Sequence, residues 1–189
     1  MKHGTKQLFK VLFDFIEIVF IAVAVILLSY VFAGQFLEVS GVSMVPTFQD
    51  KEQLVAEKIS IKLSPLKRGE IIIFKHPKET NHLVIKRVVG LPDEKVTIVD
   101  GMVLIDGKKL QEPYLQEGTK TDAGKSMQEG IEYKIEKNSY LVLGDNRTES
   151  IDSREWGALP SEFIIGRALL VFNPLSNFRF VMDDYVDVK

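Results

Sequence analysis

The sequence predicts a mainly β protein, an N-terminal single transmembrane helix followed by a coiled antiparallel β-sheet or barrel-like domain. Three observations predict it. An uncharged run long enough to cross a bilayer stands near the N-terminus, helical periodicity is scarce after it, and short β-branched runs bounded by turn residues fill the rest.

The apolar run is Ile18–Leu37, "IVFIAVAVILLSYVFAGQFL", about the length of helix needed to span roughly 30 Å of hydrocarbon. Lys2, Lys6 and Lys10 precede it, and no basic residue follows until Lys51. The positive-inside bias therefore places residues 1–17 in the cytoplasm, 18–37 in the membrane and 38–189 outside. A cleavable signal peptide is the competing reading, with Val31-Phe32-Ala33 as its processing site. The run exceeds the usual apolar core of such peptides, and Asp14 and Glu17 are unusual in a positively charged leader.

After the anchor, "EIIIF" (70–74), "HLVIKRVVG" (82–90), "SYLVLGDN" (139–146) and "IIGRALLVFNP" (164–174) read as strands running into turns. In "KVTIVDGMVLIDGKKL" (95–110), Asp100-Gly101 and Asp106-Gly107 each separate apolar runs. Asp-Gly tolerates positive φ at both central positions of a tight turn, so two successive hairpins are expected. Residues 116–130 are polar and carry three glycines, the composition of an exposed loop.

Composition narrows the function. The 189-residue chain has a formal net charge of -2 with 26% charged residues, neither a basic nucleic-acid binder nor an acidic disordered tail. The residues after the anchor suffice for one domain with its own core. No cysteine is present, which removes disulfides, thiolate catalysis and sulfur-ligated metals, and three histidines (His3, His76, His82) do not suit a three-histidine metal centre.

One serine stands out. In "SGVSMVPT" (40–47), Ser43 sits in a constrained turn just beyond the anchor. A serine hydroxyl needs a base to become a nucleophile. His76 precedes a proline and His82 begins a strand, without an acidic partner signature for either. Lys86 lies inside "LVIKRVV", where alternation places it with Val84 and Val88 and opposite Ile85, Arg87 and Val89. If its face is buried, desolvation lowers the ammonium pKa, and a fall to near 8 costs roughly 3 kcal/mol. If the face is open, Lys86 is a solvated edge residue; the strand alone leaves both readings standing. Arg87 calls for a carboxylate, for which Asp145 is a candidate. "GDNRTESIDSR" (144–154) lacks the spacing of a calcium loop and reads as a turn that braces other residues.

Taken together, the anchor, "SGVSMVPT", "RGEIIIF", "IKRVVGLP" and "GDNRTESIDSR", in that order over nearly all the chain, resemble the bacterial type I signal peptidases, in a short form like that of bacteria with one membrane. "DGKKL" followed by "EPYL" is similar to the family too. The resemblance implies a membrane-bound serine endopeptidase that removes signal peptides from exported preproteins, with Ser43 as nucleophile and Lys86 as general base. It implies that Ser150 hydrogen-bonds the lysine, that Asp145, Asp152 and Arg154 hold the supporting loop, and that the Ser43 backbone N–H is an oxyanion donor. The preferred cut follows small residues in an Ala-X-Ala pattern, with secretory preproteins and the bilayer as partners, no nucleic acid, and neither metal nor organic cofactor. Phe36, Val42, Met44, Val45 and Val84 are candidates for the substrate pocket or a membrane-facing surface, with core packing as the alternative.

The chain departs from the family pattern at Gly41, where some members carry a hydroxyl as second oxyanion donor. It also departs at Glu70 (often aspartate), Val84 (commonly aromatic) and Asp93-Glu94 (usually Gly-Asp). Two rivals stand beside this reading. A self-cleaving repressor shares the chemistry but needs a DNA-binding helical domain, and a catalytically dead tethered β module would bind exported chains without cutting them.

Overall fold

The structure, a computed structural model, describes residues 2–32, 34–79, 81–181 and 188, and within the first helix the side chains of residues 7 and 10–27. It falls into two units, residues 1–34 and 35–189.

The first unit is helix α1 (Lys2–Phe32). Val11, Phe13, Phe15, Ile18, Phe20 and Ile26 are all more than half exposed along it, so apolar side chains face outward in every direction. Among the described residues no helix is long and apolar enough to cross a membrane. The described side chains 10–27 include Lys10, Asp14 and Glu17, while the uncharged run expected to form the anchor continues through residues 28–33, outside them. Val31-Phe32-Ala33 lies outside the described side chains as well. The described helix runs to Phe32, and strand β1 (Gly34–Glu38) begins within the run 18–37 expected as the anchor.

The second unit is mainly β. Its strands are β1 (Gly34–Glu38), β2 (Gln53–Glu57), β3 (Ile71–Lys75), β4 (Leu83–Gly90), β5 (Lys95–Val99), β6 (Met102–Ile105), β7 (Lys108–Lys109), β8 (Tyr133–Lys134), β9 (Ser139–Leu143), β10 (Leu159–Pro160), β11 (Ile164–Asn173) and β12 (Arg179–Phe180). Two four-residue helices, α2 (Ser60–Leu63) and α3 (Ser153–Trp156), interrupt them. The larger sheet is a curled antiparallel one with the order β1-β2-β11-β3-β4-β9-β10, and β12 pairs with β11. The smaller sheet has the order β7-β6-β5-β8.

β3 reads as an unbroken apolar run because both its faces are covered. Ile71 and Ile73 enter a core with Met44, Phe48, Leu54 and Val171, whereas Ile72 and Phe74 enter a second core with Val88, Tyr140 and Val142. Each such isoleucine contributes about 1.5–3 kcal/mol by leaving water. β9 is buried throughout, sending Leu141 and Leu143 into a third core under the small sheet.

The two expected hairpins form. Asp100, Gly101, Asp106 and Gly107 all have positive φ, between 50° and 78°, the mirror-image turn that matches strand twist. The segment 116–130 differs from the exposed loop its composition suggests. Thr121 and Met127 are buried, because Met127 closes the third core and Ser126 N–H donates to the Arg154 carbonyl.

Candidate active site

The turn carrying Ser43 is pinned from below. Met44 and Phe48, which follow Ser43, are buried in the same core, and Phe48 N–H donates to the Met44 carbonyl at 2.9 Å. Gly41 opens the turn at φ 91°, a conformation a side chain would strain, and its N–H donates to Asp50 Oδ1 at 2.8 Å. From the other side, Asn146 N–H donates to the Ser43 carbonyl at 3.0 Å and Asn146 Nδ2 to the Val42 carbonyl at 3.2 Å. Core packing and one loop thus fix the hydroxyl.

β4 supplies the lysine. Its register sets Lys86 opposite Ile72 of β3, inside the larger sheet, where Lys86 is only 3% exposed. Lys86 Nζ lies 2.6 Å from Ser43 Oγ and donates to it. Burial lowers the lysine pKa from 10.5 to about 8, with Asp152 and Asp145 partly opposing the shift and Arg154 adding to it. In the neutral form the hydrogen bond reverses, and the Ser43 hydroxyl donates to the amine lone pair.

The neighbouring Arg87 is fully buried and forms a two-pronged pair with Asp145, Nε to Oδ1 at 2.9 Å and an Nη to Oδ2 at 2.8 Å. It also donates to the Gly69 carbonyl at 2.9 Å and lies 3.9 Å above the Tyr114 ring. Thr47, four residues beyond Ser43, donates its hydroxyl to Asp145. Burial first, and the Glu112 carboxylate second, push the Tyr114 phenol well above its usual range, so it stays a neutral hydroxyl beneath the guanidinium.

Asp152 organises the loop 144–154. It accepts from Gly144 N–H at 3.0 Å, caps α3 by accepting from Arg154 N–H, and pairs with the Arg154 side chain at 2.8 Å. Arg154 in turn donates to the Arg147 and Ser150 carbonyls, at 2.7 and 3.1 Å. Sequence reasoning assigned no role to Arg147, yet it is buried, donates to the Gly144 carbonyl at 3.0 Å and pairs with Glu112. Glu112 lies in "EPYL", 35 residues before its partner, and no local spacing signals such a pair.

One expectation is corrected, and the pocket candidates divide. Ser150 does not hydrogen-bond Lys86: its Oγ is buried and makes no hydrogen bond, because Ser150 packs against Gly144 while the ammonium meets Ser43 instead. Met44, a pocket candidate, is 1% exposed and belongs to the core. Val45 is half-buried and Phe36 is 61% exposed against Phe172; neither lines the cleft beside Ser43. Val42 and Val84 do line it.

That cleft has a volume of about 350 Å³ and is walled by Leu37, Val39, Leu54, Ile73 and Ile85, with Ser43 and Lys86 along it. Gly144 packs against Ser150 and the Ser43 backbone. A Cβ there would fall 2.2 Å from Ser150 Oγ and 2.5 Å from the Ser43 carbonyl oxygen, so neither loop can stay in place. Gly144→Ala should cut activity by about 10²-fold or more, the scale of a 1 Å misplacement at a reacting centre. Activity within threefold of wild type in a steady-state assay would contradict this close packing.

The departures from the family pattern have local accounts. Glu70 accepts from Arg167 Nε at 2.8 Å, bracing the segment around α2, and Glu94 pairs with Arg68 at 2.6 Å and accepts from Leu91 N–H at 2.7 Å.

The comparisons give the class first: the family model and the curated relatives make the protein a serine endopeptidase. The particular family follows from comparison: the chain belongs to the signal peptidase family, peptidase S26, whose family model matches residues 12–173. It is 41% identical to a signal peptidase I of Leptolyngbya laminosa over 77% of this chain and 71% of that one. It is 34% identical to signal peptidase I U of Bacillus subtilis over 87% and 88%. A solved signal peptidase I of Enterococcus faecalis is 28% identical, with a TM-score of 0.47, covering 55% of this chain and 97% of that one. Membership makes the protein an enzyme whose family removes signal peptides from preproteins and is membrane-associated in general.

Proposed function

We propose that this enzyme cuts preproteins with Ser43 as nucleophile and Lys86 as general base, from a single-pass membrane anchor that holds the catalytic domain outside the cytoplasm. The observation that carries the reading is the 2.6 Å separation of Lys86 Nζ and Ser43 Oγ. As Oγ attacks the scissile carbonyl carbon, the hydroxyl proton passes to the neutral amine. The Ser43 N–H, which donates to nothing else among the described residues, receives the developing oxyanion. The Lys86 ammonium then protonates the leaving amine, an acyl-enzyme remains, and water activated by the same lysine releases it. Gly41 offers no hydroxyl as second donor, and its N–H is held by Asp50.

Specificity for Ala-X-Ala fits an extended substrate in the cleft. Side chains two residues apart point the same way at a spacing of about 6.6 Å, so the first and third residues before the cut meet one wall. Here that wall is aliphatic and close. The orientation rests on the lysine-rich front of α1 and the uncharged run behind it. Metal and organic cofactors have no part in these steps.

The test is a secretory precursor carrying Ala-X-Ala, incubated with detergent-solubilised protein, with the new N-terminus read by mass spectrometry. A cut directly after the second alanine supports the proposal; an intact precursor overturns it. The pH profile gives a second check. Because the neutral amine is the active form, kcat/KM should rise with pH and level off above about 8, where the lysine titrates. A profile flat from about pH 6 to 9 would mean that another group is the base. The topology is tested on intact cells, where external protease should reach the domain after residue 38 and spare a tag at the N-terminus.

A further inference from the structure

Besides Lys86, the cleft beside Ser43 is lined by two charged side chains among the described residues, Glu38 of β1 and Glu149 of the loop 144–154. Both are exposed, and neither has a cationic partner there; Glu38 accepts only a long 3.4 Å hydrogen bond from Gln53, and the Glu149 carboxylate makes none. Charges that brace this fold are paired within 3 Å, as with Arg87–Asp145, Arg154–Asp152 and Arg68–Glu94. These two carboxylates therefore stand apart from the bracing network, with their charge directed at whatever enters the cleft.

The cleft also offers apolar surface next to them. Ile151 and Val42 line it while remaining 72% and 47% exposed. The alkyl stem of a lysine or arginine can lie along such surface and keep its charged head in water beside a carboxylate. An acidic substrate residue meets like charge instead.

We infer that Glu38 and Glu149 select substrates by charge, favouring preprotein segments with lysine or arginine beside the cut bond and rejecting acidic ones. This rests on the peptidase reading of the same cleft. The selection acts on the substrate and not on the base. Lys86 responds to Asp152, Asp145 and Arg154, and neither rim glutamate is among the charges acting on it. An acidic substrate residue would carry a second penalty, since a new carboxylate near Lys86 favours the protonated amine.

The experiment uses full-length enzyme and one Ala-X-Ala precursor made in three forms, with Lys, Gln or Glu at a position within two residues of the cut, on each side in turn. For wild type, the kcat/KM ratio of the Lys form to the Glu form should be about three- to tenfold, the size expected of a unit charge in a half-hydrated cleft. In the doubly substituted Glu38→Gln/Glu149→Gln enzyme the ratio should fall toward one, and the two single variants should show which carboxylate faces which side. Added salt at about 0.5 M should shrink the wild-type ratio. Because the ratio is taken within each enzyme, a general loss of activity does not move it.

A wild type indifferent to charge, or a ratio that survives in the double variant, overturns the inference alone. A wild type that leaves even the Gln form whole overturns the peptidase reading and this inference with it. A shift of the pH profile in the double variant would mean that the glutamates act through Lys86, which also overturns the inference.

Discussion

Lys86→Ala and Ser43→Ala are each expected to lower precursor cleavage by about 10⁴-fold or more, and the double variant to be scarcely worse than either. On the proposed mechanism the two act as a unit, since a nucleophile without its base and a base without its nucleophile are equally idle. The 2.6 Å contact joins these two groups directly, with no third residue between them. Rates from both single variants and the double variant, in a precursor assay sensitive enough to see background hydrolysis, would check it. Independent, multiplying losses would mean that the two residues serve different steps.

The lysine also carries a stability signature. Its folded pKa, about 8, lies below the unfolded value of 10.5. Below pH 8 both states hold the proton, and burying the ammonium costs the folded state about 3 kcal/mol; between pH 8 and 10.5 the folded lysine is neutral while the unfolded one still binds the proton, and the cost fades as pH rises. Lys86→Met should therefore unfold at a higher temperature than wild type at pH 6–7, with the difference narrowing as pH rises toward 10. A lower melting temperature at neutral pH would show that the amine is not desolvated.

Asp145→Ala is expected to destabilise the domain by about 3–5 kcal/mol, because it removes the carboxylate that takes a two-pronged bond from the Arg87 guanidinium in a site with no exposure. That is a large share of the 5–15 kcal/mol typical of a folded domain, and corresponds to a fall in melting temperature of about 6–20 °C. Thr47 loses its acceptor as well, so the turn after Ser43 should loosen and activity fall beyond what unfolding explains. Pairing the change with Arg87→Met should recover part of the stability, since the double variant no longer buries a guanidinium whose Asp145 partner has been removed. Thermal unfolding of wild type, both single variants and the double variant gives the coupling. Full additivity would mean that the pair is not the source of the loss.

Much of this architecture is legible locally. Asp-Gly pairs dictate tight turns because two adjacent residues tolerate positive φ, and β-branched runs between them become strands whatever they later pack against. "SGVSMVPT" is marked as special by its own glycine, proline and hydroxyl. The resemblance carried by the four short stretches named the family before any geometry was known. The strands 71–75, 83–90, 139–143 and 164–173 all fall where their composition places them.

What local pattern could not decide was which faces are closed. Alternation in "LVIKRVV" assigns Lys86 and Arg87 to opposite sides but gives no sign that both sides are buried. That follows from packing on each face of β3 and β4, built from residues such as Met44, Phe48, Tyr140 and Val142. The same long-range packing places Met44 in the core, leaves Ser150 without the expected bond, and joins Arg147 to Glu112 across 35 residues.

Sequence by itself determined the strands and the turn chemistry, because each depends on residues within a few positions of one another, and its ordered short stretches carried the family and marked Ser43 and Lys86 as candidates. Only the tertiary structure decided that the amine is desolvated, that it touches the hydroxyl 43 residues away, and that two glutamates line the cleft. Burial and separation are properties of chain segments brought together by folding, and no single stretch of the chain contains them.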